Sequence, residues 1–87
     1  MFIAIVHEIH DPTKFQECAE RVFPLPEGLR VHQFFPAPDL SRAACLYEAT
    51  SINQLRDYID GTLGDASTQR YFSVAEEHAI GLPQRSD

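Results

Sequence analysis

The chain has 87 residues and a formal net charge of −6 at pH 7, with 44% hydrophobic and 23% charged residues. This length supports one domain with a thin core. The 7 Lys and Arg residues are scattered rather than clustered, which argues against nucleic acid and an anionic membrane as the main partner. The apolar run after Met1 is too short for a signal peptide or a membrane span, so we expect a cytoplasmic protein.

The first part of the chain predicts a strand, a helix and a second strand. Residues 2–9 are rich in β-branched side chains and precede a turn signal, which is typical of a strand. Asp11-Pro12 then provides an N-cap and a proline at the first helical position. The apolar spacing of residues 15–23 predicts a helix that ends before Pro24. Residues 29–35 predict the second strand, which is followed by a proline-containing connection.

The second part predicts a third strand, a second helix and a fourth strand. Residues 43–49 have the composition of a strand. Ser51 and Gln54 form a capping box that opens a helix with apolar side chains at helical spacing. Residues 71–75 predict the fourth strand, and residues 76–83 predict a tail that packs or folds back.

This order of elements, β-α-β-β-α-β, predicts an α+β fold of the ferredoxin-like type. A four-stranded antiparallel sheet in the order 4-1-3-2 then has both helices on one face, because the crossovers are right-handed. We expect a single domain over residues 1–83 and a frayed C-terminal tail over residues 84–87.

The predicted strands are apolar on both faces, which is unusual for a sheet with one face open to water. Strict alternation in the second strand places His32 and Phe34 on one face and Val31 and Phe35 on the other. A bare apolar face would form an abnormally large patch on a monomer. The simplest cover is the same face of a second copy, so the pattern predicts a sheet-to-sheet homodimer.

The chain resembles the dimeric α+β barrel superfamily in its element order. Locally, residues 31–35 (VHQFF) and 44–49 (ACLYEA) resemble small bacterial ferredoxin-like proteins with a histidine on strand two and a Cys-x-Tyr-acid run on strand three. Some of those proteins bind nickel, so the resemblance implies a transition metal such as nickel as the cofactor to consider. The residues themselves establish no cofactor. The wider superfamily includes cofactor-free monooxygenases and isomerases, and the fold alone does not choose between them.

Six residues are the candidates for a functional site. In the expected strand order His7 approaches Cys45 or Glu48, and His32 approaches Tyr47 or Glu48. Imidazole, thiol and carboxylate groups in such positions can bind a metal, move a proton or form ordinary hydrogen bonds. We therefore consider His32 and His7 as catalytic bases, and His7, His32, Cys45 and Glu48 as metal ligands. The candidate ligand-binding residues are Tyr47, Glu48 and Phe34.

Three functions fit these observations. The first is a homodimer that binds a small apolar ligand or a metal ion in a His/Tyr/Glu-lined cleft. The second is a cofactor-free enzyme, similar to a monooxygenase or an isomerase, in which a strand histidine is the general base. The third is a structural or regulatory dimer without catalytic activity.

Overall fold

The chain forms strands and helices in the predicted βαββαβ order. The computed structural model describes residues 1–84. Its elements are β1 (Phe2–Ile9), α1 (Pro12–Glu20), β2 (Leu29–Pro36), β3 (Arg42–Ala49), α2 (Ile52–Leu63), a short 3-10 helix (Gly64–Ala66) and β4 (Ser67–Ser73). The four strands are antiparallel in the order β2-β3-β1-β4, which confirms the α+β class and is compatible with a ferredoxin-like fold. The predicted C-terminal tail lies, from residue 85 onward, outside the described residues.

Both helices begin at the predicted caps. The Asp11 carboxylate accepts a hydrogen bond from the backbone N–H of Lys14 at 3.1 Å, and Pro12 occupies the first turn of α1. The Ser51 hydroxyl accepts from the backbone N–H of Gln54 at 3.2 Å and caps α2. These bonds satisfy N–H groups that a helix cannot pair internally. Within residues 1–84, neither helix combines the length and apolarity that crossing a bilayer requires.

Two predicted boundaries are wrong. α1 ends at Glu20, and the chain continues in a tight turn in which Val22 N–H donates to the Ala19 carbonyl at 3.1 Å. β4 runs over Ser67–Ser73 rather than residues 71–75. Its first half, residues 67–70, is polar on both faces of the strand, so the hydrophobic pattern does not mark it.

A β-bulge at His32 changes which side chains of β2 face the helices. Val31 pairs with Tyr47 and Gln33 pairs with Leu46, so His32 is an extra residue in the ladder. After the bulge, Phe34 lies opposite Cys45 on the helix side of the sheet. The predicted alternation, which placed His32 and Phe34 on the same face, is therefore wrong.

The hydrophobic core lies between the helices and one face of the sheet. Its buried members are Ile3, Ile5, Ile9, Phe15, Cys18, Val22, Leu29, Ala43, Cys45, Tyr47, Ala49, Leu55, Ile59, Leu63 and Ala66. The opposite face, which we call the open face, is mixed. Phe2 and Leu46 are buried there within the single chain, whereas Phe35 and Phe72 are 62% and 55% exposed. The face is thus less bare than the strand pattern predicts.

Candidate functional site

A cavity of about 170 Å³ lies between the sheet and the two helices. Helix α1, the turn after it, helix α2 and strands β1, β2 and β3 all contribute to its wall. The lining is almost wholly apolar and consists of His7, Phe15, Ala19, Val22, Phe23, Val31, Phe34, Cys45, Tyr47, Ile59 and Leu63. Two of the predicted ligand-binding residues, Tyr47 and Phe34, therefore line one cavity together with His7 and Cys45.

The orientation of the His7 ring is set by a chain of hydrogen bonds that leads out of the cavity. The Asp60 carboxylate can only accept, so the Gln69 amide N–H₂ donates to it at 2.8 Å. This turns the Gln69 carbonyl oxygen toward His7, and His7 Nδ1–H donates to it at 3.2 Å. The Tyr71 hydroxyl also donates to Asp60, at 2.6 Å.

The same chain assigns the tautomer of His7 and the role of Cys45. Because Nδ1 carries the proton, Nε2 of the neutral ring has a free lone pair. Cys45 Sγ lies 3.1 Å from Nε2, so the thiol donates to the imidazole. The Phe15 ring packs edge-on against His7, with 5.6 Å between centroids, and further fixes its position.

Burial keeps the His7–Cys45 pair uncharged. Desolvation lowers the pKa of His7 below its ordinary value, although the hydrogen bond to Gln69 and the Asp60 charge oppose this. Desolvation also raises the pKa of the Cys45 thiol to about 12. A thiolate is the nucleophilic form of cysteine, so Cys45 is an unreactive thiol at neutral pH. The pair can exchange hydrogen bonds with a bound molecule, and it does not form a thiolate–imidazolium nucleophile.

The lowered pKa of His7 predicts a loss of stability in mild acid. The unfolded chain takes up a proton on this histidine below its ordinary pKa of 6.5, whereas the folded chain takes it up only at lower pH. Stability from this group is therefore complete above 6.5 and falls as the pH decreases toward the folded pKa, by at most about 1.4 kcal/mol per pH unit. Urea unfolding of the wild type and of His7→Gln between about pH 7 and pH 5 measures the difference in slope.

The matched control for this pH dependence is His10→Gln, because His10 is exposed and its imidazole forms a hydrogen bond with the Thr68 hydroxyl, at 2.7 Å. We expect it to keep the wild-type slope. Equal slopes in the wild type and His7→Gln would show that His7 is not the responsible group.

Tyr47 supplies the one polar group of the cavity wall that the described chain leaves free. The residue is only 5% exposed, yet no hydrogen bond joins its hydroxyl to another residue in the range 1–84. No fully buried side-chain oxygen in that range lacks a partner, so this hydroxyl meets the open space of the cavity. Burial and the neighbouring Cys45 and Tyr58 side chains raise the pKa of Tyr47 above its ordinary value, so it is a protonated hydrogen-bond donor.

His32 and Glu48 form a second pair on the open face. His32 Nε2–H donates to Glu48 Oε1 at 2.9 Å, and both side chains are largely buried. The Phe2 ring packs against His32 with 5.5 Å between centroids. The bulge projects His32 toward Glu48, so this pair is separated from the cavity by the sheet itself.

The four candidate metal ligands are thus divided into two pairs. His7 and Cys45 lie on the helix side, and His32 and Glu48 lie on the open face. Within the part of the chain that the structure describes, no three His, Cys, Asp or Glu side chains are grouped so that they could hold a metal ion. Metal binding and catalysis by either histidine stay predictions from the sequence.

Sequence reasoning missed Gln69 and Asp60, the residues that orient His7. Gln69 was hidden because the polar start of β4 reads as a loop, although it lies directly opposite His7 in the sheet. Asp60 is an exposed residue of α2 with no pattern of its own. A β4 start at Ser67 would have paired Gln69 with His7 and revealed the contact.

Comparisons with known proteins identify no relative of this chain. No family model, no curated protein and no solved structure matches the chain. The protein is a small α+β domain with a four-stranded antiparallel sheet and an apolar cavity between the sheet and its helices. Membership of the dimeric α+β barrel superfamily stays a prediction.

Proposed function

We propose that this chain binds a small, neutral and largely apolar molecule in the cavity between its sheet and helices. The observation that supports the proposal is the free Tyr47 hydroxyl in an otherwise apolar wall. This hydroxyl reaches the open space, and no group of residues 1–84 in the apolar wall accepts a hydrogen bond from it. A ligand oxygen that accepts from this hydroxyl supplies the missing partner.

The size and charge of the cavity define the ligand further. Apolar cavities of roughly 150 Å³ take up benzene, so a volume of about 170 Å³ accommodates a single six-membered ring with a small substituent. His7 and Cys45 are both held neutral, so no fixed charge offsets the cost of burying an ion. The preferred ligand is therefore an uncharged ring that carries one acceptor oxygen.

Tyr47→Phe is expected to weaken the binding of an oxygen-bearing ring without changing that of its hydrocarbon counterpart. Methoxybenzene and ethylbenzene have nearly the same shape, and only the first can accept from Tyr47. A hydrogen bond contributes roughly 0.5–1.5 kcal/mol, so methoxybenzene should lose up to about tenfold in affinity. The dissociation constants of both ligands for both proteins are measured by NMR titration.

The substitution preserves the aromatic ring, so the core remains packed. Tyr58→Phe is the matched control, because the Tyr58 hydroxyl already donates to the Val22 carbonyl at 2.6 Å and does not face the ligand. We expect no selective loss there. If the wild type binds neither ligand, the proposal is wrong. If Tyr47→Phe weakens the binding of both ligands equally, the Tyr47 hydroxyl does not donate a hydrogen bond to the ligand.

We further propose that the working unit is a homodimer formed through the open face. Phe35 and Phe72 supply exposed aromatic surface there. Glu8 lies beside Arg42 in the register of β1 and β3, so the same face offers both charges. A two-fold axis through the face can pair each carboxylate with an arginine of the other copy. This complementarity favours a second copy over an unrelated apolar partner.

Light scattering after size-exclusion chromatography is expected to report about twice the chain mass at micromolar concentration. Phe35→Asp places an unpaired charge in the proposed interface, so it should shift the protein to monomer. Ile80→Asp, which changes a fully exposed residue, is the matched control and should remain dimeric. A monomeric wild type would contradict the proposal.

A further inference from the structure

A second apolar depression, which we call the outer groove, adjoins the cavity on the protein surface. Helix α1 and the loop that follows β2 form its sides. Four of its lining residues belong to the groove alone, namely Gln16, Glu20, Pro36 and Leu40. The other four, Phe15, Ala19, Phe23 and Phe34, also line the cavity. The cavity and the outer groove therefore share half of the residues that line the groove.

Two aromatic rings lie at the junction of the cavity and the outer groove. Phe23 is 56% exposed and Phe34 is 48% exposed, and each belongs to both linings. Each ring thus has one side in the cavity wall and another in water. Large apolar side chains left half exposed at the mouth of an apolar cavity indicate a path for an apolar ligand rather than a sealed core.

We infer that the ligand is longer than the cavity: a neutral ring in the cavity with an unbranched alkyl substituent along the outer groove. This inference rests on the proposed function and specifies its ligand class. The groove adds apolar contacts that a ring alone cannot use. Glu20 lines the groove but not the cavity, and the chain has a net charge of −6, so the alkyl substituent ends without a negative charge.

A series of 4-alkyl methoxybenzenes, from methyl to butyl, tests the inference. Full burial of one methylene group is equivalent to about a fourfold gain in affinity. The groove is open on one side, so we expect about a twofold gain per methylene. Dissociation constants for the series come from the same NMR titration, with amide shifts of α1 reporting where the substituent lies.

Leu40→Asn removes apolar surface from the groove alone. Leu40 has a backbone φ of 58°, a conformation that asparagine tolerates better than most residues, so the substitution should not strain the fold. We expect methoxybenzene to bind within about twofold of the wild type, because a residue outside the cavity contributes little to the ring. The gain per methylene should disappear. Ile80→Asn, the same kind of change at a fully exposed residue, should keep it.

A charged probe tests the effect of Glu20 on the groove. The compound 4-(4-methoxyphenyl)butanoate has a carboxylate at the end of its alkyl chain. We expect it to bind several-fold more weakly than 4-butyl methoxybenzene. Glu20→Gln should recover part of that loss, because it removes the nearest carboxylate of the groove.

The outcomes separate this inference from the proposed function. A gain along the series that Leu40→Asn abolishes supports both. Tyr47-dependent binding of methoxybenzene with no gain along the series, or with a gain that Leu40→Asn leaves intact, overturns the groove and leaves the cavity proposal standing. No binding of any ring overturns both.

Discussion

Ala19→Leu is expected to weaken ligand binding strongly while leaving the fold intact. Ala19 lies on α1, is only partly buried, and lines both the cavity and the outer groove. An isobutyl side chain in place of the methyl group would occupy the space of a ligand ring. Burial of one ring contributes roughly 2–3 kcal/mol, so affinity for methoxybenzene should fall by about 100-fold. The free energy of unfolding should change by less than about 1 kcal/mol, since the new side chain fills space and also loses rotamer freedom.

The measurement pairs an NMR titration with urea unfolding of the same preparation. Thr13→Leu is the matched control, because Thr13 is an exposed residue of the same helix that lines neither space. It should bind methoxybenzene as the wild type does. If Ala19→Leu keeps wild-type affinity and a folded spectrum, the ligand does not use this cavity.

Ile59→Ala is expected to destabilise the protein strongly and to enlarge the ligand it accepts. Ile59 is almost fully buried on α2 and lines the cavity. Truncation of a buried isoleucine to alanine costs about 2–5 kcal/mol. At roughly 0.05–0.15 kcal/mol per residue, a domain of 87 residues has about 4–13 kcal/mol in total, so the variant should be marginally stable. A bulkier ring that fills the added space should raise its melting temperature more than it raises that of the wild type.

Leu55→Ala is the matched control that separates the loss of stability from the change in ligand size. Leu55 is fully buried on the same helix and belongs to the core, but it does not line the cavity. We expect a similar loss of stability from it, with no change in the preferred ring size. Thermal unfolding with and without each ligand distinguishes the variants. If the larger ring stabilises both variants equally, Ile59 does not shape the binding space.

The neighbours within the sheet could be predicted from the sequence because strand order follows from element order. The strand order predicts His7 near Cys45 or Glu48, and His32 near Tyr47 or Glu48. In the structure His7 contacts Cys45 and His32 contacts Glu48, so one alternative of each is present. Such pairings depend on the topology of the backbone, which hydrophobic periodicity and capping residues indicate well. The sequence could not say that the sheet divides the four side chains into two separate pairs.

A ligand-binding cleft is among the predictions, but the residues that line the cavity could not be predicted from the pattern. Phe34 reaches it only because the bulge at His32 adds a residue to β2, and nothing in the alternation of residues 29–35 marks a bulge. Phe23 lines it from a turn that reads as the last turn of a helix. Empty space depends on how side chains fail to fill a volume, which is a three-dimensional property that spacing along the chain does not encode.

The bulge also reverses which residues of β2 face the helices, even-numbered or odd-numbered. This reversal matters for the recognition of distant relatives. Before His32, even-numbered residues such as Arg30 lie on the open face, and after it odd-numbered residues such as Phe35 do so. A relative without this one residue would have an equally hydrophobic β2. Its ring equivalent to Phe34 would, however, lie on the open face instead of lining the cavity. A one-residue gap at this position in an alignment would therefore mark a protein with the same fold and a different binding space.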